Sequence, residues 1–522
     1  MTQEILVNVT QREVRIALLE NSVLQEIYIE RSIHQEIVGN IYKGRVSRIL
    51  PGLQAAFVDI GLDRAAFLHT SDMGVENDLN TLTVGKEIIV QVYKDQLGTK
   101  GARLTTQITL PSRYLVLTPG TFEIAISQKI VDEAERQKML TMITPGISGG
   151  YIFRTAAVGV ALPEIEQDKA SLEILWSTIE ARTKQTKAPG IVFEEIPRYL
   201  RILRDLVGNE VTKILVDDTT SFQQMQNFAS SYAPDLTKKI ELFQAGSTSP
   251  LVGEVGVRST TGEGCFPPPT KNTLHPPLRV DLSHKGRGEN YYSLFDKYNI
   301  ESELQNALSR KVPLKSGGHI IFDQTEAMTT IDVNTGSNVG QNDVEQTILS
   351  TNLEAAAAIA HQVRLRNIGG IIIIDFIDMT DPQHKEQLLA AFNTALAKDS
   401  ARTQISEISN IGLVQMTRKR NRESLEHILC APCPTCQSRG SVKSLSTMCY
   451  EIFREILRIE QSYPWENYLI QASSAVIEKL TRDESTMLAD LAAQLGKSIR
   501  LQVETTYLQE RYDILPDNKS KS

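Results

Sequence analysis

The apolar positions of this chain change period several times, and each change marks a change of architecture. Residues 1–38 alternate in short bursts, Ile5-Leu-Val-Asn-Val9, Val14-Arg-Ile-Ala-Leu-Leu19 and Leu24-Gln-Glu-Ile-Tyr-Ile29, a period that predicts strands. They are too few to bury a core alone, so a later part of the chain is expected to complete their sheet. From 39 to 118 the apolar runs shorten, at 41–49, 55–60, 65–69, 88–92 and 103–106, with glycine turns between them. Short strands at close spacing predict a small barrel. Residues 119–207 mix strand and helix periods. Residues 208–299 open on the strand Lys213-Ile-Leu-Val-Asp217, and helix-like segments follow. Within them, 247–288 has no period and is rich in Gly, Pro, Ser and Thr, which predicts an inserted, mostly disordered loop. Its Cys265, His275 and His284 are too irregularly spaced to suggest a metal site.

The chemistry concentrates in 300–427. A helix is predicted from a capping-box-like start at Asn342 and Glu345 through Leu353-Glu-Ala-Ala-Ala-Ala-Ile-Ala360 to Arg366, ending at Gly369-Gly370. Ile371–Ile374 then reads as a buried strand with Asp375 at its carboxyl end. Upstream, Met328-Thr-Thr-Ile-Asp-Val-Asn-Thr-Gly336 places Asp332 in another apolar run. An ionised carboxylate in such a run is costly to bury without a partner. A strand-end cap or an arginine pair would satisfy one of them. Two convergent carboxylates suit a hard divalent cation such as Mg²⁺, and Asn334, two residues from Asp332, shares its strand face. Asp378, three beyond Asp375, would point to the opposite face of a continuing strand and reads as structural.

Composition narrows the picture. The chain has 522 residues, enough for several sub-domains, and no apolar run of membrane-spanning length. No basic start precedes an apolar core at the N-terminus, so a cytoplasmic location is expected, with cysteines as thiols or metal ligands. The net charge of −8 argues against a generally basic nucleic-acid binder but leaves room for local clusters. Such clusters are Lys43, Arg45 and Arg48; Arg364 and Arg366; and Arg418, Lys419, Arg420 and Arg422, each of which could equally be a solvated face. Phe57, Phe67, Tyr42, Lys43 and Lys100 lie in the barrel segment, where aromatics are either core or stacking platforms for single-stranded bases. Arg154 and Thr155 end the apolar run after Gly149-Gly150, a place suited to a phosphate contact or to an ordinary surface arginine. Cys430, Cys433 and Cys436 follow at 428–442. Cys433-Pro-Thr-Cys436 is half of a tetrahedral zinc site, whose other half could come from Cys430 and Cys449 or from a second protomer.

Several long words occur in one order: Leu6-Val-Asn-Val-Thr10, Gly39-Asn-Ile-Tyr-Lys-Gly-Arg45, Gln54-Ala-Ala-Phe-Val-Asp-Ile-Gly61, Leu97-Gly-Thr-Lys-Gly-Ala-Arg-Leu-Thr105, Leu314-Lys-Ser-Gly-Gly318, the two acidic segments and Cys433-Pro-Thr-Cys436. In these words the chain resembles the ribonuclease E/G family of bacterial endoribonucleases, almost to its C-terminus, with 247–288 unmatched. The resemblance implies an α/β multi-subdomain fold. An OB-fold RNA-binding barrel (39–118) is inserted in a ribonuclease-H-like sub-domain (1–38 and 208–299), beside a 5′-phosphate sensor region (119–207). A DNase-I-like catalytic sub-domain (300–427), a zinc link (428–442) and a small C-terminal sub-domain (443–522) follow.

For the residues, the resemblance implies catalysis by Asp332, Asp375 and Asn334, with Mg²⁺ held by the two aspartates. RNA is bound at Phe57, Phe67, Lys43 and Lys100. Arg154, Thr155 and Arg402 sense a 5′-monophosphate. Cys433 and Cys436 hold a structural Zn²⁺ shared between two protomers of a homodimer. The lack of a long Pro- and Arg-rich tail implies the branch of the family without a scaffold region. The expected activity is single-strand-specific hydrolysis of RNA in rRNA maturation and mRNA turnover. The rivals are a non-catalytic RNA-binding protein using only the barrel, and a metal-dependent nuclease of another substrate.

Overall fold

The computed structural model describes residues 2–31, 36–74, 81–96, 101–146, 148–205, 207, 210–244, 293–336 and 344–517. Lys100, Asn342 and the stretch 247–288 lie outside the described residues. The chain divides into two compact units, Met1–Ile428 and Leu429–Ser522.

In the first unit the strands Gln3–Val9, Glu13–Glu20 and Val23–Arg31 form one edge of a five-stranded sheet. The rest of that sheet comes from far downstream: Val211–Val216 pairs parallel to the first strand, with Leu6 opposite Leu215, and Ile240–Leu242 pairs beyond it. The pairing buries Ile5, Val7, Ile16, Ile214 and Val216 with helix residues Met225 and Ala229.

A closed barrel follows. Ile41–Leu50, Ala55–Asp59, Ala66–His69, Arg103–Thr105 and Glu87–Lys94 pair in that order, and the last pairs back onto the first. Val46, Ala56, Val58, Ala66, Leu68, Val90, Val92 and Leu104 fill it. Gly44 permits the close strand approach, because a Cβ there would lie 2.5 Å from the Val58 side chain. The barrel ends earlier than its sequence suggests. Leu110–Pro111 and Leu115–Pro119, expected within it, instead join Gly149–Phe153 and Ile124–Ile126 in a separate four-stranded sheet. The helix Leu162–Gln185 buries Ile165, Leu172 and Ile179 with Leu115, Leu117, Tyr151 and Phe153, so these strands find their core there.

The last sheet of the unit has six strands in the order Lys311–Pro313, His319–Gln324, Met328–Asn334, Gly370–Asp375, Leu413–Arg418 and Thr403–Ile408. The helices Val344–Leu365 and Pro382–Leu396 supply Ala355, Ile359, Val363, Leu388 and Phe392 to a core with Ile331, Val333, Ile372, Ile374, Val414 and Met416. The isoleucine run is therefore not buried on both faces. Ile372 and Ile374 are in the core, whereas Ile371 is exposed and Ile373 only half-buried. A continuous apolar run does not distinguish these cases; only the placement of the helices does.

The second unit is a three-stranded sheet, Ile499–Val503, Tyr468–Ala472 and Tyr512–Pro516, with the helices Leu445–Ser462, Ser474–Arg482 and Ser485–Leu495. Its core holds Met448, Cys449, Ile452, Ile456, Tyr468 and Ile470.

Candidate active site and RNA interface

The side chains that leave the uncovered face of the six-stranded sheet follow from strand parity. In Met328–Asn334, Ile331 and Val333 are buried while Thr330 and Asp332 are exposed, so Asn334 shares the outer face with Asp332. The neighbouring strand runs parallel and in register, with Ile331 opposite Ile374 and Asp332 opposite Asp375. The two aspartates thus stand side by side at the carboxyl ends of adjacent parallel strands, where open α/β sheets place ligands. Asn334 donates its side-chain amide to Asp332 Oδ2 at 2.8 Å. Partial burial, and then the charges of Asp332 and Asp378, hold the Asp375 carboxyl above its ordinary pKa.

Asp378 departs from the parity reading. The strand ends at Asp375, so the chain does not carry Asp378 to the far face of a continuing strand, and its charge bears on Asp375. It sits over the turn at Gly412, where a Cβ would lie 2.9 Å from its Oδ1. Among the described residues no group of three or more His, Cys, Asp or Glu side chains converges as a ready-made metal cage. Mg²⁺ keeps several waters and is commonly held by one or two carboxylates, and the paired, exposed Asp332 and Asp375 offer that kind of donor set.

The segment Leu314-Lys-Ser-Gly-Gly318 supports the Asn334 end. Glu354 accepts from the backbone N–H groups of Lys315 and Ser316. A Cβ at Gly318 would lie 2.6 Å from the Asn334 carbonyl, and one at Gly336 would lie 2.4 Å from that of Gly317. Glycine is required at both by this close approach, and Gly336 also has φ +59°.

On the barrel, Phe57 and Phe67 are directly opposed on antiparallel strands, with their rings edge to face at 5.7 Å. Neither is core. Their neighbours Ala56, Val58, Ala66 and Leu68 point inwards, and the phenylalanines stand half-buried on the outside. The register extends this pair into a row: Arg48 is opposite Phe57, and Arg103 is opposite Phe67. His69 adds a third ring, 6.3 Å from Phe67. Arg103 is paired with Asp72, whereas Arg48 has no ion-pair or hydrogen-bond partner among the described residues. A row of cations and aromatics suits a single strand, since bases stack on rings while phosphates meet charge. Arg48 was visible in the sequence as part of a basic cluster, but its place beside Phe57 depends on a bulge after Val46. Lys43 is committed elsewhere: its ammonium pairs with Glu87 at 3.1 Å and donates to the Thr186 carbonyl at 3.2 Å. Tyr42 is buried in the barrel core.

Arg154 is held from behind. Its Nη1 donates to the Ser112 carbonyl at 2.6 Å and its Nη2 to Asp205 Oδ1 at 2.9 Å. Asp205 also accepts from Arg204; partial desolvation pushes its carboxyl up, but Arg204 and Arg154 outweigh it and hold the pKa low. Thr155 opens the short turn that follows. Arg402 is exposed just before Thr403–Ile408, in the six-stranded sheet, and among the described residues no hydrogen bond or ion pair joins it to Arg154.

The cysteines separate into two kinds. Cys433 is exposed, and backbone N–H groups of Cys436 and Thr435 aimed at its sulfur lower its pKa. The turn is closed by Gln437 donating to the Cys433 carbonyl at 2.8 Å, with Gln437 and Ser438 at positive φ. Cys449 is fully buried in the core of the second unit, and burial raises its thiol to about 11. Among the described residues it forms no metal-ligating group of three or more with Cys433 and Cys436.

In the two downstream basic clusters the arginines at 364, 366, 418 and 422 are held by partners, while Lys419 and Arg420 are exposed. Arg364 is buried between Glu20 at 2.9 Å and Glu26 at 2.7 Å, tying the long helix to the N-terminal sheet. Arg422 lies 3.8 Å over the Tyr28 ring, and Arg366 lies 4.5 Å over Phe322. Arg418 is buried against Asp399 at 2.7 Å.

A barrel with an outward aromatic row, in one unit with a sheet that pairs two carboxylates on its open face, defines a nucleic-acid-handling protein. The chain belongs to the ribonuclease E/G family: that family matches residues 109–263 and 273–421, and the S1 RNA binding domain matches residues 36–107. Ribonuclease G of Escherichia coli (strain K12) and that of Salmonella typhimurium (strain SL1344) are each 44% identical over 532 aligned positions, covering 99% of this chain and 100% of theirs. Ribonuclease E of Haemophilus influenzae is 34% identical over 468, covering 87% of this chain and 45% of its own. The family match breaks only at 264–272, so 247–263 and 273–288, expected to be unmatched, lie within it. No helix among the described residues is long and apolar enough to cross a membrane.

Proposed function

We propose that this endoribonuclease is Mg²⁺-dependent and specific for single-stranded RNA, and that it leaves 5′-phosphate and 3′-hydroxyl ends. The observation that carries the reading is the register of Asp332 with Asp375 on the open face of the sheet, with Asn334 bonded to the first of them. Asp332 and Asp375 would hold the ion. Bound there, Mg²⁺ supplies positive charge for the scissile phosphate and an activated or oriented water. Asn334 fixes the Asp332 carboxylate by its amide. The Arg48–Phe57–Phe67–Arg103 row binds the single strand, and stacking on rings favours unpaired bases over duplex.

The resemblance supports three further assignments. Arg154, with Thr155 and Arg402, takes up a 5′-monophosphate and so stimulates cleavage of processed RNA. Cys433 and Cys436 share a Zn²⁺ with the same pair of a second copy, giving a homodimer. The enzyme acts in the cytoplasm on rRNA precursors and mRNA. The sheet with the paired aspartates would be the family's DNase-I-like sub-domain and the five-stranded sheet its ribonuclease-H-like one. The test is cleavage of a 5′-monophosphorylated oligoribonucleotide, and of DNA of the same sequence, with and without Mg²⁺, by wild type and Asp375→Asn. Metal-independent cleavage, or equal cleavage of DNA, would overturn the reading.

A further inference from the structure

The helix Val344–Leu365 carries two fully buried polar residues in succession, Thr351 and Asn352. The Thr351 hydroxyl donates to a carbonyl of its own helix, that of Thr347, at 2.8 Å. The Asn352 amide instead reaches out of the helix. Its Nδ2 donates to the Ile377 carbonyl at 2.8 Å, and its Oδ1 accepts from the Ile377 N–H at 3.0 Å. Two bonds to one residue fix both the position and the orientation of that stretch of backbone. Ile377 lies between Asp375 and Asp378, past the end of the strand, where no sheet ladder holds the chain. The hydroxyl of Thr380, three residues further, meets the Glu345 carboxylate of the same helix.

The same helix also supports the other half of the site. A Cβ at Gly318 would meet the Thr351 methyl at 3.3 Å as well as the Asn334 carbonyl at 2.6 Å. One turn of helix thus backs the segment beside Asn334 and the loop after Asp375 together. Asparagine is a poor helix-interior residue, and burying its amide is costly unless every donor and acceptor is used. An aliphatic side chain would serve packing alone.

We propose that Asn352 is a positioning residue for RNA hydrolysis: it holds the Asp375–Asp378 loop so that the Asp375 carboxylate faces Asp332. It touches neither RNA nor the reacting atoms. The proposal rests on Asp332 and Asp375 being the reacting pair. Outer residues that orient a metal's ligands change affinity or activity by about 10- to 100-fold when replaced.

The experiment compares Asn352→Leu with wild type in the full-length protein. It measures single-turnover cleavage, the Kd for a single-stranded RNA, binding of Mn²⁺ alone by electron paramagnetic resonance, and exchange of the Ile377 amide hydrogen. Asn352→Leu is expected to lower the cleavage rate and weaken Mn²⁺ binding, each by about 10-fold or more, with RNA Kd within about twofold and faster Ile377 exchange. Cleavage and Mn²⁺ affinity both within about twofold of wild type would overturn the proposal.

Asn352→Asp decides the matter if the leucine variant does not fold. A buried carboxyl is neutral over a wider pH range, and in that form its hydroxyl can donate to the Ile377 carbonyl as the amide does. The ratio of variant to wild-type rate should therefore rise as pH falls, and a constant ratio counts against the proposal. Asp375→Asn is run in parallel. If it cleaves at the wild-type rate, the reacting pair itself is misassigned. If it is inactive while Asn352→Leu is normal, only the positioning role fails.

Discussion

Asp332 stands directly opposite Asp375 on neighbouring parallel strands, so two carboxylates meet at one level on the open face of the sheet. Asparagine in either place keeps the shape and removes the charge that a hard cation needs. Asp332→Asn and Asp375→Asn are each expected to lower single-turnover cleavage by about 100-fold or more while RNA affinity stays within about twofold. Rates near wild type at saturating Mg²⁺ would remove that residue from the site.

Phe57 and Phe67 project from the barrel, and the core lies on the other side of their strands. Phe57→Ala and Phe67→Ala should each weaken single-stranded RNA binding by about 1–3 kcal/mol and leave the cooperative thermal transition in place. Arg48→Gln should weaken binding across sequences and reduce the salt slope of log K by about 1. Fluorescence anisotropy over a salt series measures both. Loss of the thermal transition in either alanine variant would assign that ring to the core.

Arg154 is preorganised by Ser112 and Asp205. Arg154→Gln should reduce the advantage of 5′-monophosphorylated over 5′-hydroxyl RNA by about 10-fold or more, because a charge-assisted phosphate contact contributes about 1.5–3 kcal/mol. Cleavage of the 5′-hydroxyl substrate should change little. An equal loss on both substrates would make Arg154 a general binding or structural residue.

Cys433 and Cys436 are the proposed half of a shared zinc site, and Cys449 lies buried in the core of the second unit. Cys433→Ser with Cys436→Ser should abolish zinc binding and yield monomers of much lower activity, whereas Cys449→Ser should keep the zinc. Metal analysis with light scattering tests this; one zinc per chain in a stable monomer would exclude the shared site. Without metal, iodoacetamide should label Cys433 before Cys449. The folded Cys449 thiol titrates at about 11, above its ordinary value near 9, so its contribution to stability is complete below about 9 and is lost as pH rises through about 11.

Arg364 is enclosed by Glu20 and Glu26. Removing one partner of a buried ion pair leaves uncompensated charge, so Arg364→Ala should cost about 3–5 kcal/mol in chemical denaturation. A cost below about 1 kcal/mol would show that the two glutamates find water or other partners instead.

Features that depend on local geometry could be read from the sequence. The period of two placed Asn334 with Asp332, and the short runs between 41 and 106 marked the barrel strands. A local pattern does not record where it stops. Parity places Asp378 on the far face only if the strand continues, and it stops at Asp375. The arginines at 364, 366 and 418 are buried, and that at 422 half-buried, by glutamate, aspartate and aromatic partners distant in sequence. Ile371–Ile374 reads as a buried strand, yet only Ile372 and Ile374 are in the core, because sequence does not show on which side helices lie.

The sequence by itself determined the strands, the acidic pair, the cysteine pair and the family, since each is written in contiguous residues. Only the tertiary structure decided the register that sets Asp332 beside Asp375, the row from Arg48 to Arg103, the burial of Cys449, and the reach of Asn352 to Ile377. Each of these joins segments separated in the chain. Their meeting is fixed by which apolar faces bury one another, and no local pattern records that choice.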